Sequence, residues 1–481
     1  MFNAGLLRDY GVSSGLWDEM MGKTGLRESY QNFVKDIQNI TAEEMGRKDE
    51  LAKKLFMTHG ITFTVYSDNE GVEKIFPFDI IPRIIQANEW ETIEAGVKQR
   101  LKALNIFLKD VYDQQFIIKD GIIPAKLIYS CPLFLREMMN VSVPFDIYTH
   151  ISGIDLIRDS DGSFYVLEDN LRTPSGVSYM LENRSITFRI FPDYIPRNNV
   201  RRVKEYPALL LQNLMALANR QTSEPTVVLL TPGVYNSAYF EHTTLARLMG
   251  IELVEGRDLL VENHHVYMKT TSGLRKVDVI YRRVDDDYID PLTFRPDSIL
   301  GVPGIYWAYR KGNVAIVNAM GNGVADDKAV YAYVPEMIRY YLGEEPILKN
   351  VPTYELDIPE NQSMVFSNMN KMVIKKTNES GGYGMLMGNT ATEKEIEDYK
   401  KAIIENPRNF IAQPIINLSS VPCYIDGVLQ PRRVDLRPYA LYGPDGISLV
   451  PGGLTRVALK EGSLVVNSSQ GGGSKDTWVL E

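Results

Sequence analysis

Cysteine and histidine are both scarce in this 481-residue chain. Two cysteines, Cys131 and Cys423, make no disulfide framework and fit a reducing compartment. The five histidines (His59, His150, His242, His264 and His265) show no metal-ligand spacing, which disfavours zinc and Cys/His nucleophilic catalysis. No run of eighteen apolar residues exists, which argues against a membrane-spanning helix. The opening "MFNAGLLRDYGVSSG" lacks the basic segment and apolar core of a secretory signal, so a cytoplasmic protein is expected. Its "GVSSG" matches the nucleophile-elbow pattern in letters only, because no apolar strand leads into it. Positive charge is short as well. The formal net charge of −9 argues against nucleic acid as the main partner, since a phosphate backbone needs a basic footprint. That total still allows a local basic cleft for a nucleotide.

What is present suits a soluble globular protein: 44% hydrophobic and 23% charged residues. The chain is long enough for roughly two to four domains. Residues 1–146 read as short helical pieces and a β stretch, "ITFTVYSDNEGVEKIFPFDIIP", followed by a long helix. In that helix Ile93, Val97, Leu101, Leu104, Leu108 and Val111 recur at three- and four-residue steps. Lys98, Arg100, Lys102 and Lys109 fall between them and read as a solvated face. Residues 147–224 turn to strands and then to a helix ending in "NRQTSEPT". A β-loop-α-β order fills residues 225–322, with strand "TVVLLT", helix "EHTTLARLMG", strand "IELVEG" and the charged exit of "KVDVIYRRVDDDYID". Residues 323–481 hold a helix from Lys328, a glycine-bearing hairpin, a helix behind the capping box Thr392–Glu395, and several strands. The glycine-rich "SSQGGGSKDTWVLE" closes this unit, and no internal repeat is visible.

Two stretches carry most of the chemistry. "HISGIDLIRDSDGSFYVLEDN" is a pair of alternating runs separated by Asp161-Gly162, a hairpin signal. If those two residues form the turn, Ser160 pairs with Ser163, and counting outward sets Asp155 opposite Glu168. Paired side chains share a face with Cβ atoms roughly 5 Å apart, so the carboxylates repel unless a cation or a proton separates them. Asn170, two residues on, adds a neutral oxygen to that face. An Asp, a Glu and an Asn oxygen together suit Mg²⁺, which prefers hard oxygens and shares its sphere with phosphate. Arg172 just beyond would clamp that phosphate. A solvent-exposed acidic hairpin is the competing reading, and a one-residue shift of register removes the argument.

The second stretch, "MVIKKTNESGGYGMLMG", reads as strand, glycine loop and return strand. Its glycines allow backbone N–H groups to approach phosphate oxygens, with Lys375 behind them. It has neither the Gly-Lys-Ser/Thr end of a Walker loop nor the dinucleotide spacing, and an ordinary glycine hairpin is the alternative. In "FIAQPII" a buried strand carries one polar residue, Gln413, where the backbone meets an adenine edge or a core strand simply ends. "RRVDLRPYAL" puts Arg433, Asp435 and Arg437 on one strand face, and "GGLTRVAL" and "GSLVVNSSQGGGSK" supply Arg456 and Asn467. Such arginines stabilise a transferring phosphoryl group or make salt bridges on the sheet. Lys328 opens a helix, where its charge opposes the dipole, an oddity that favours a phosphate role. "TPGVYNSAYFEH" and "YRRVDDD" are polar loop ends that bind substrate or solvate an edge.

Together, Lys328, Lys375, the Gly381–Gly384 loop, Gln413, Asp435-x-Arg437 and the Asp155/Glu168/Asn170 set resemble the ATP-grasp superfamily. More narrowly, the chain resembles the circularly permuted (type 2) ATP-grasp proteins related to glutathionylspermidine synthetase. Blocks such as "FPFDIIPRI", "YVLEDNLRTPSGVSYMLENR", "LTPGVYNSAYFEH", "VDVIYRRVDDD", "VDLRPYAL" and "SLVVNSSQGGGSKDTW" carry the resemblance along nearly the whole sequence. It implies an α/β (α+β) fold with the ATP-grasp in permuted order. Residues 1–146 would be a helical/β region and 147–224 the permuted metal-binding segment. Residues 225–322 would be a Rossmann-like pre-ATP-grasp substrate domain, and 323–481 the nucleotide-binding lobes.

The resemblance also implies an ATP- and Mg²⁺-dependent carboxylate–amine ligase that forms an amide through an acyl phosphate. ATP would meet Lys328, Lys375, Ser380, Gly381, Gly382, Tyr383, Gly384, Gln413, Pro414 and Ile415. Asp155, Glu168 and Asn170 would hold Mg²⁺, and Arg437, Arg456 and Arg172 would serve the phosphoryl and acyl-phosphate oxygens. Substrate would meet Tyr235, Asn236, Glu241, Arg282, Arg283 and Asp285. In glutathionylspermidine synthetase an arginine stands two residues before the metal Asp; here that place is Gly153, so the substrate-carboxylate contact departs from that enzyme's. The implied partners are a small-molecule or peptide carboxylate and an amine, alongside a homo-oligomer or an operon-encoded partner. A phosphotransferase on the same grasp, and a nucleotide-binding regulatory subunit without turnover, are the alternatives.

Overall fold

The computed structural model describes residues 10–12, 15–67, 70–218, 224–379, 384–466 and 472–481. The loop positions Ser380, Gly381, Gly382 and Tyr383, and Asn467 near the chain's end, lie outside the described residues. A ten-stranded sheet forms the backbone of a mixed α/β fold. Its main path runs Lys349–Asn350, Phe164–Asn170, Ile151–Arg158, Val428–Arg437, Leu454–Val457, Gly473–Val479 and Phe78–Ile85. Tyr439–Gly443 adds to Ile151–Arg158, and Ser420–Ile425 to Val428–Arg437. Pairing along the main path is antiparallel except at its two ends, where Lys349–Asn350 runs parallel to Phe164–Asn170 and Gly473–Val479 parallel to Phe78–Ile85. Early, middle and late parts of the chain therefore share one sheet. The end of the glycine-rich tail is one of its buried strands, with Trp478 fully enclosed and Lys475 paired to Asp79.

The hairpin of Ile151–Arg158 and Phe164–Asn170 does not turn on two residues. Asp159 and Ser163 close a three-residue loop with Gly162 at φ 86°, where a Cβ would collide with the Trp17 ring. Arg158 consequently pairs with Phe164, one residue off the expected register. A bulge at Leu167 then restores it, and Asp155 stands opposite Glu168, Ile154 opposite Asp169 and Gly153 opposite Asn170.

The long helix spans Ala87–Tyr112 and opens on Gln86, whose side chain and Glu89 cap each other's backbone. It buries the whole stripe Ile93, Val97, Leu101, Leu104, Leu108 and Val111. One member of its expected solvated face is not solvated: Arg100 is 1% exposed. It donates Nε and Nη2 to the two carboxylate oxygens of Asp169 at 2.7 and 2.8 Å, and Nη1 to Asn350 Oδ1 at 2.7 Å. A guanidinium so buried is tolerated because every contact it makes is a charge-assisted or full hydrogen bond.

Four parallel strands make a second sheet in the order Ala315–Val317, Val279–Arg282, Val227–Leu230, Glu252–Val254. Its two central strands are buried throughout, as parallel strands covered on both faces are. The crossover helix Tyr239–Met249 ends at Gly250, whose φ of 69° provides the left-handed cap. A third, antiparallel sheet runs Tyr354–Glu355, Phe410–Pro414, Met372–Lys376, Leu386–Met387. With helices Pro359–Ser367 and Glu393–Glu405 it encloses a small core of its own around Leu356, Val365, Ile374, Ile403 and Ala412. The helix from Lys328 is a single turn, Lys328–Tyr331. Asp327 caps it through the N–H groups of Ala329 and Val330, offsetting the lysine charge at that end. Among the described residues no helix is long and apolar enough to cross a membrane.

Candidate functional site

The hairpin of Ile151–Arg158 and Phe164–Asn170 faces the small antiparallel sheet across a cleft with a cavity volume of about 120 Å³. Asp155, Glu168, Lys328, Lys375, Glu379, Gln413, Asp435 and Arg456 supply its polar lining. Ile157, Leu167, Val373, Met385, Met387, Ile416 and Leu418 supply an apolar wall. Leu167 and Glu168 are neighbours in sequence yet both line the cleft, because Leu167 is the unpaired residue of the bulge and is re-aimed by it.

On the large sheet three adjacent strands bring two carboxylates and two guanidiniums together. Arg437 donates Nε and Nη2 to Asp155 at 2.5 and 2.8 Å, and Nη1 to the Ser175 carbonyl at 3.2 Å. Arg456 donates Nη2 to Asp155 at 2.6 Å and Nε to both oxygens of Asp435, its direct strand partner. Burial on its own raises the Asp155 carboxyl, but Arg437 and Arg456 outweigh it and hold the group well below the usual carboxylate range. Asp435 is fully buried and stays above its usual value despite Arg456.

Two lysines approach from the other side. Lys328 donates Nζ to the Glu379 carbonyl at 2.5 Å, lies 3.6 Å from the Glu168 carboxylate, and donates its backbone N–H to Thr377. Lys375 makes no ion pair among the described residues. Burial lowers its pKa to about 8, with Glu168 pulling it back up and Lys328 pushing it further down. An amine desolvated this way, with no carboxylate of its own, is best satisfied by an anionic ligand.

Glu168 pairs with Lys328 at 3.6 Å, and the buried Asn170 Nδ2 has no hydrogen-bond partner among the described residues. Asp155 and Glu168 line the cleft from paired strands, but both Asp155 oxygens already accept from Arg437 and Arg456, so Glu168 is the carboxylate of the three-residue set left to meet a cation. The set contains only two carboxylates, and no group of three or more His, Cys, Asp or Glu side chains among the described residues is disposed to hold a metal. Gln413 is 3% exposed, donates Nε2 to Thr353 Oγ1 at 2.9 Å, and leaves a buried Oε1 without a partner among the described residues. Pro414 and Ile415 continue the lining from it. Gly384 re-enters the described residues with φ 63° beside Glu379.

Arg172 stands outside this cleft lining. Its Nε donates to Asp326 at 2.7 Å, and Asp326 raises its pKa, with Asp285 and Asp286 adding to the effect. Arg282 donates to the carbonyls of Asn318, Val284 and Ala319. Arg283 donates to the Pro174 carbonyl, Ser175 Oγ and Glu241, and Glu241 accepts from the N–H groups of Gly176 and Ser178. The buried Arg283 and Glu241 hold the segment at residues 174–178 against the parallel sheet's domain, whereas Arg282 ties that sheet to residues 318–319. Tyr235 and Asp285 are exposed, and Asn236 accepts from the Ala238 N–H. Thr353 and Glu379 are participants that sequence reasoning did not single out. Each acts through a partner distant in sequence, Gln413 and Lys328, which no local pattern reveals.

Comparison with known proteins agrees with this geometry. A family model described as "Circularly permuted ATP-grasp type 2" matches residues 82–458. An uncharacterized protein of Synechocystis sp. is 54% identical over 442 residues, 92% of either chain. One of Mycobacterium tuberculosis is 50% identical over 465 residues, 96% of this chain and 84% of that one. A Frankia casuarinae protein with a provisional glutamate–cysteine ligase name is 40% identical over 466 residues, 96% of this chain but 53% of its own length. Among solved structures, a glutathione synthetase-like effector from Globodera pallida in its apo form matches with TM-score 0.57. That match covers 91% of this chain and 98% of that one at 10% identity, a likeness of fold.

Proposed function

The chain belongs to the circularly permuted ATP-grasp type 2 family, and on that premise we propose that it is an ATP- and Mg²⁺-dependent carboxylate–amine ligase. The observation that supports this most is the convergence of Lys328, Lys375, Glu168, Arg456 and Gln413, from two sheets and a helical turn, on one cleft. The Frankia relative adds the class of bond made. Its glutamate and cysteine are not carried across, because this chain spans about half of that protein.

In this reading Gln413 and the apolar wall receive the base, while Lys328 and Lys375 neutralise the phosphates. Glu168 and Asn170, beside the arginine-held Asp155, would hold Mg²⁺, which supplies charge neutralisation on the phosphate oxygens when bound. Arg456 and Arg437 are already locked by Asp155 and Asp435, so they meet charge developing on the transferring phosphoryl group without reorganising. A substrate carboxylate oxygen attacks the γ-phosphorus, and the bond to ADP breaks with its electron pair leaving on ADP. The amine then attacks the acyl carbon, phosphate departs, and the nitrogen loses a proton to solvent. The protein contributes positioning and electrostatics and needs no nucleophile of its own. Residues 225–322 would line the substrate side of the site.

Incubation of pure protein with Mg·ATP and pooled acids and amines tests this, with mass spectrometry of the products. ADP, phosphate and a new amide are expected. ADP with a phosphorylated acceptor would replace the ligase with a phosphotransferase, and no ADP release would leave a nucleotide-binding subunit without turnover.

A further inference from the structure

Arg433 shares strand Val428–Arg437 with Asp435 but takes no part in lining the nucleotide cleft. It lines a second cavity, of about 560 Å³, together with Arg432, Lys460 and Glu461. Neighbouring residues of a strand point to opposite faces, so one cavity reaches both arginines only where the sheet gives out. Here it does, because strand Leu454–Val457 pairs with residues 434–437 and goes no further. The chain leaves that strand through a turn, closed by the Ser463 N–H on the Lys460 carbonyl, which supplies the opposite wall. Residues 464–466 then run on into the nucleotide cleft. The two cavities are neighbours with no lining residue in common.

None of the three cations has a carboxylate partner among the described residues. Arg432 is 7% exposed, and its hydrogen bonds go to the carbonyls of Leu459 and Pro431 and to Gln430 Oε1. Arg433 gives one N–H to the Leu418 carbonyl at 2.6 Å. A guanidinium has five donors, so two remain on Arg432 and four on Arg433. Burial lowers the Arg433 pKa, with no carboxylate opposing it. Glu461 is exposed and pairs with none of the three. The other buried arginines, Arg83, Arg100, Arg158, Arg282, Arg283 and Arg456, each rest against a carboxylate. Arg432 breaks that pattern, and a buried cation left without its counter-charge is costly. A bound anion supplies what the chain withholds.

We propose that this cavity is a second anion site, separate from the nucleotide cleft, that takes a phosphate group as an ester or as the free ion. Three cations against one exposed carboxylate leave a surplus close to the charge of a phosphate monoester at neutral pH. Guanidinium forks match its oxygens in pairs. A single carboxylate leaves part of that surplus unmatched. The site does not depend on the ligase reading, since it involves none of the residues assigned to that reaction.

Calorimetry tests it with inorganic phosphate, glycerol phosphate and acetate, on the full chain with its nucleotide cleft filled by a non-hydrolysable Mg·ATP analogue. Saturable phosphate binding is expected, with acetate much weaker. Arg433→Gln and Lys460→Gln should each raise the phosphate Kd by at least about tenfold, the loss of one charge-assisted hydrogen bond. Lys375→Gln, in the nucleotide cleft, should leave that Kd at its wild-type value. Glycerol phosphate binding at least as tightly as inorganic phosphate identifies an ester as the ligand, and inorganic phosphate alone identifies the free ion. Wild-type protein that binds neither overturns the proposal, and so does acetate binding as tightly as phosphate. A phosphate Kd that moves with Lys375→Gln and not with Arg433→Gln also overturns it, by placing the anion in the nucleotide cleft. Should the protein not bind the analogue, the Lys375→Gln comparison still separates the two cavities. Lys460 is exposed, so Lys460→Gln carries the comparison if Arg433→Gln does not fold.

Discussion

Lys375 and Glu168 face each other across the cleft, and each makes a prediction. With its pKa lowered to about 8 by burial, Lys375 begins to lose its charge just above neutrality, while the unfolded chain keeps that charge to higher pH. The unfolded state then binds more protons between the two values, so this group's contribution to stability rises with pH across that window. Phosphate binding prefers the ammonium. Mg·ADP affinity should therefore hold steady near pH 7 and fall as pH climbs through 8, by calorimetry, and this titration should vanish in Lys375→Gln. Glu168→Ala and Asn170→Ala should abolish Mg·ATP turnover with far-UV circular dichroism unchanged, because Glu168 is half-buried and its ion pair with Lys328 is 3.6 Å long. Unchanged ADP release in either variant removes the metal assignment. The facing of Asp155 and Glu168 was legible in sequence only in outcome. A three-residue loop and a compensating bulge stand where a plain two-residue turn was expected. The loop's Gly162 lies under Trp17, a contact between residues far apart in the chain that no local pattern reveals.

At the scale of elements, periodicity found the long helix and its buried stripe but misjudged Arg100. A helical position between apolar residues reads as solvent-facing unless a third element covers it. Here strands Phe164–Asn170 and Lys349–Asn350 do so, offering Asp169 and Asn350. The pair ties the helix to the strand that carries Glu168 and Asn170. Arg100→Ala would leave Asp169 buried without its cation and should cost roughly 3–5 kcal/mol, read as a lower denaturant midpoint at constant slope. Replacing both partners, as in Arg100→Met with Asp169→Leu, should recover much of that loss. If the double variant is no more stable than the single, the cost is lost packing rather than a stranded charge.

For the whole molecule, the order of the pieces along the chain is what permutation changes, and the sheet is where the order is undone. The strand Phe78–Ile85 lies parallel to Gly473–Val479, so segments almost the full chain apart become neighbours. The late strand was the least legible element, since "GSKDTWV" alternates poorly and follows a glycine run. Its polar residues are buried because each meets a distant partner: Lys475 with Asp79 and Pro422, Asp476 with Arg184. Removal of residues 473–481 would strand Asp79 and Arg184, uncover the core around Trp478, and part Leu454–Val457 from Phe78–Ile85. The orphaned Asp79 at roughly 3–5 kcal/mol, with a half-buried Arg184 left unpaired and the core around Trp478 opened, consumes a large part of a total stability of about 5–15 kcal/mol. The truncated chain should therefore show no cooperative thermal transition and no Mg·ADP binding. Lys475→Met with Asp79→Leu, which removes one charge pair while keeping the strand, should retain both. A truncated protein that melts cooperatively and binds Mg·ADP like the full chain would mean that Arg456 and its neighbours are placed without the strand that closes the permuted sheet.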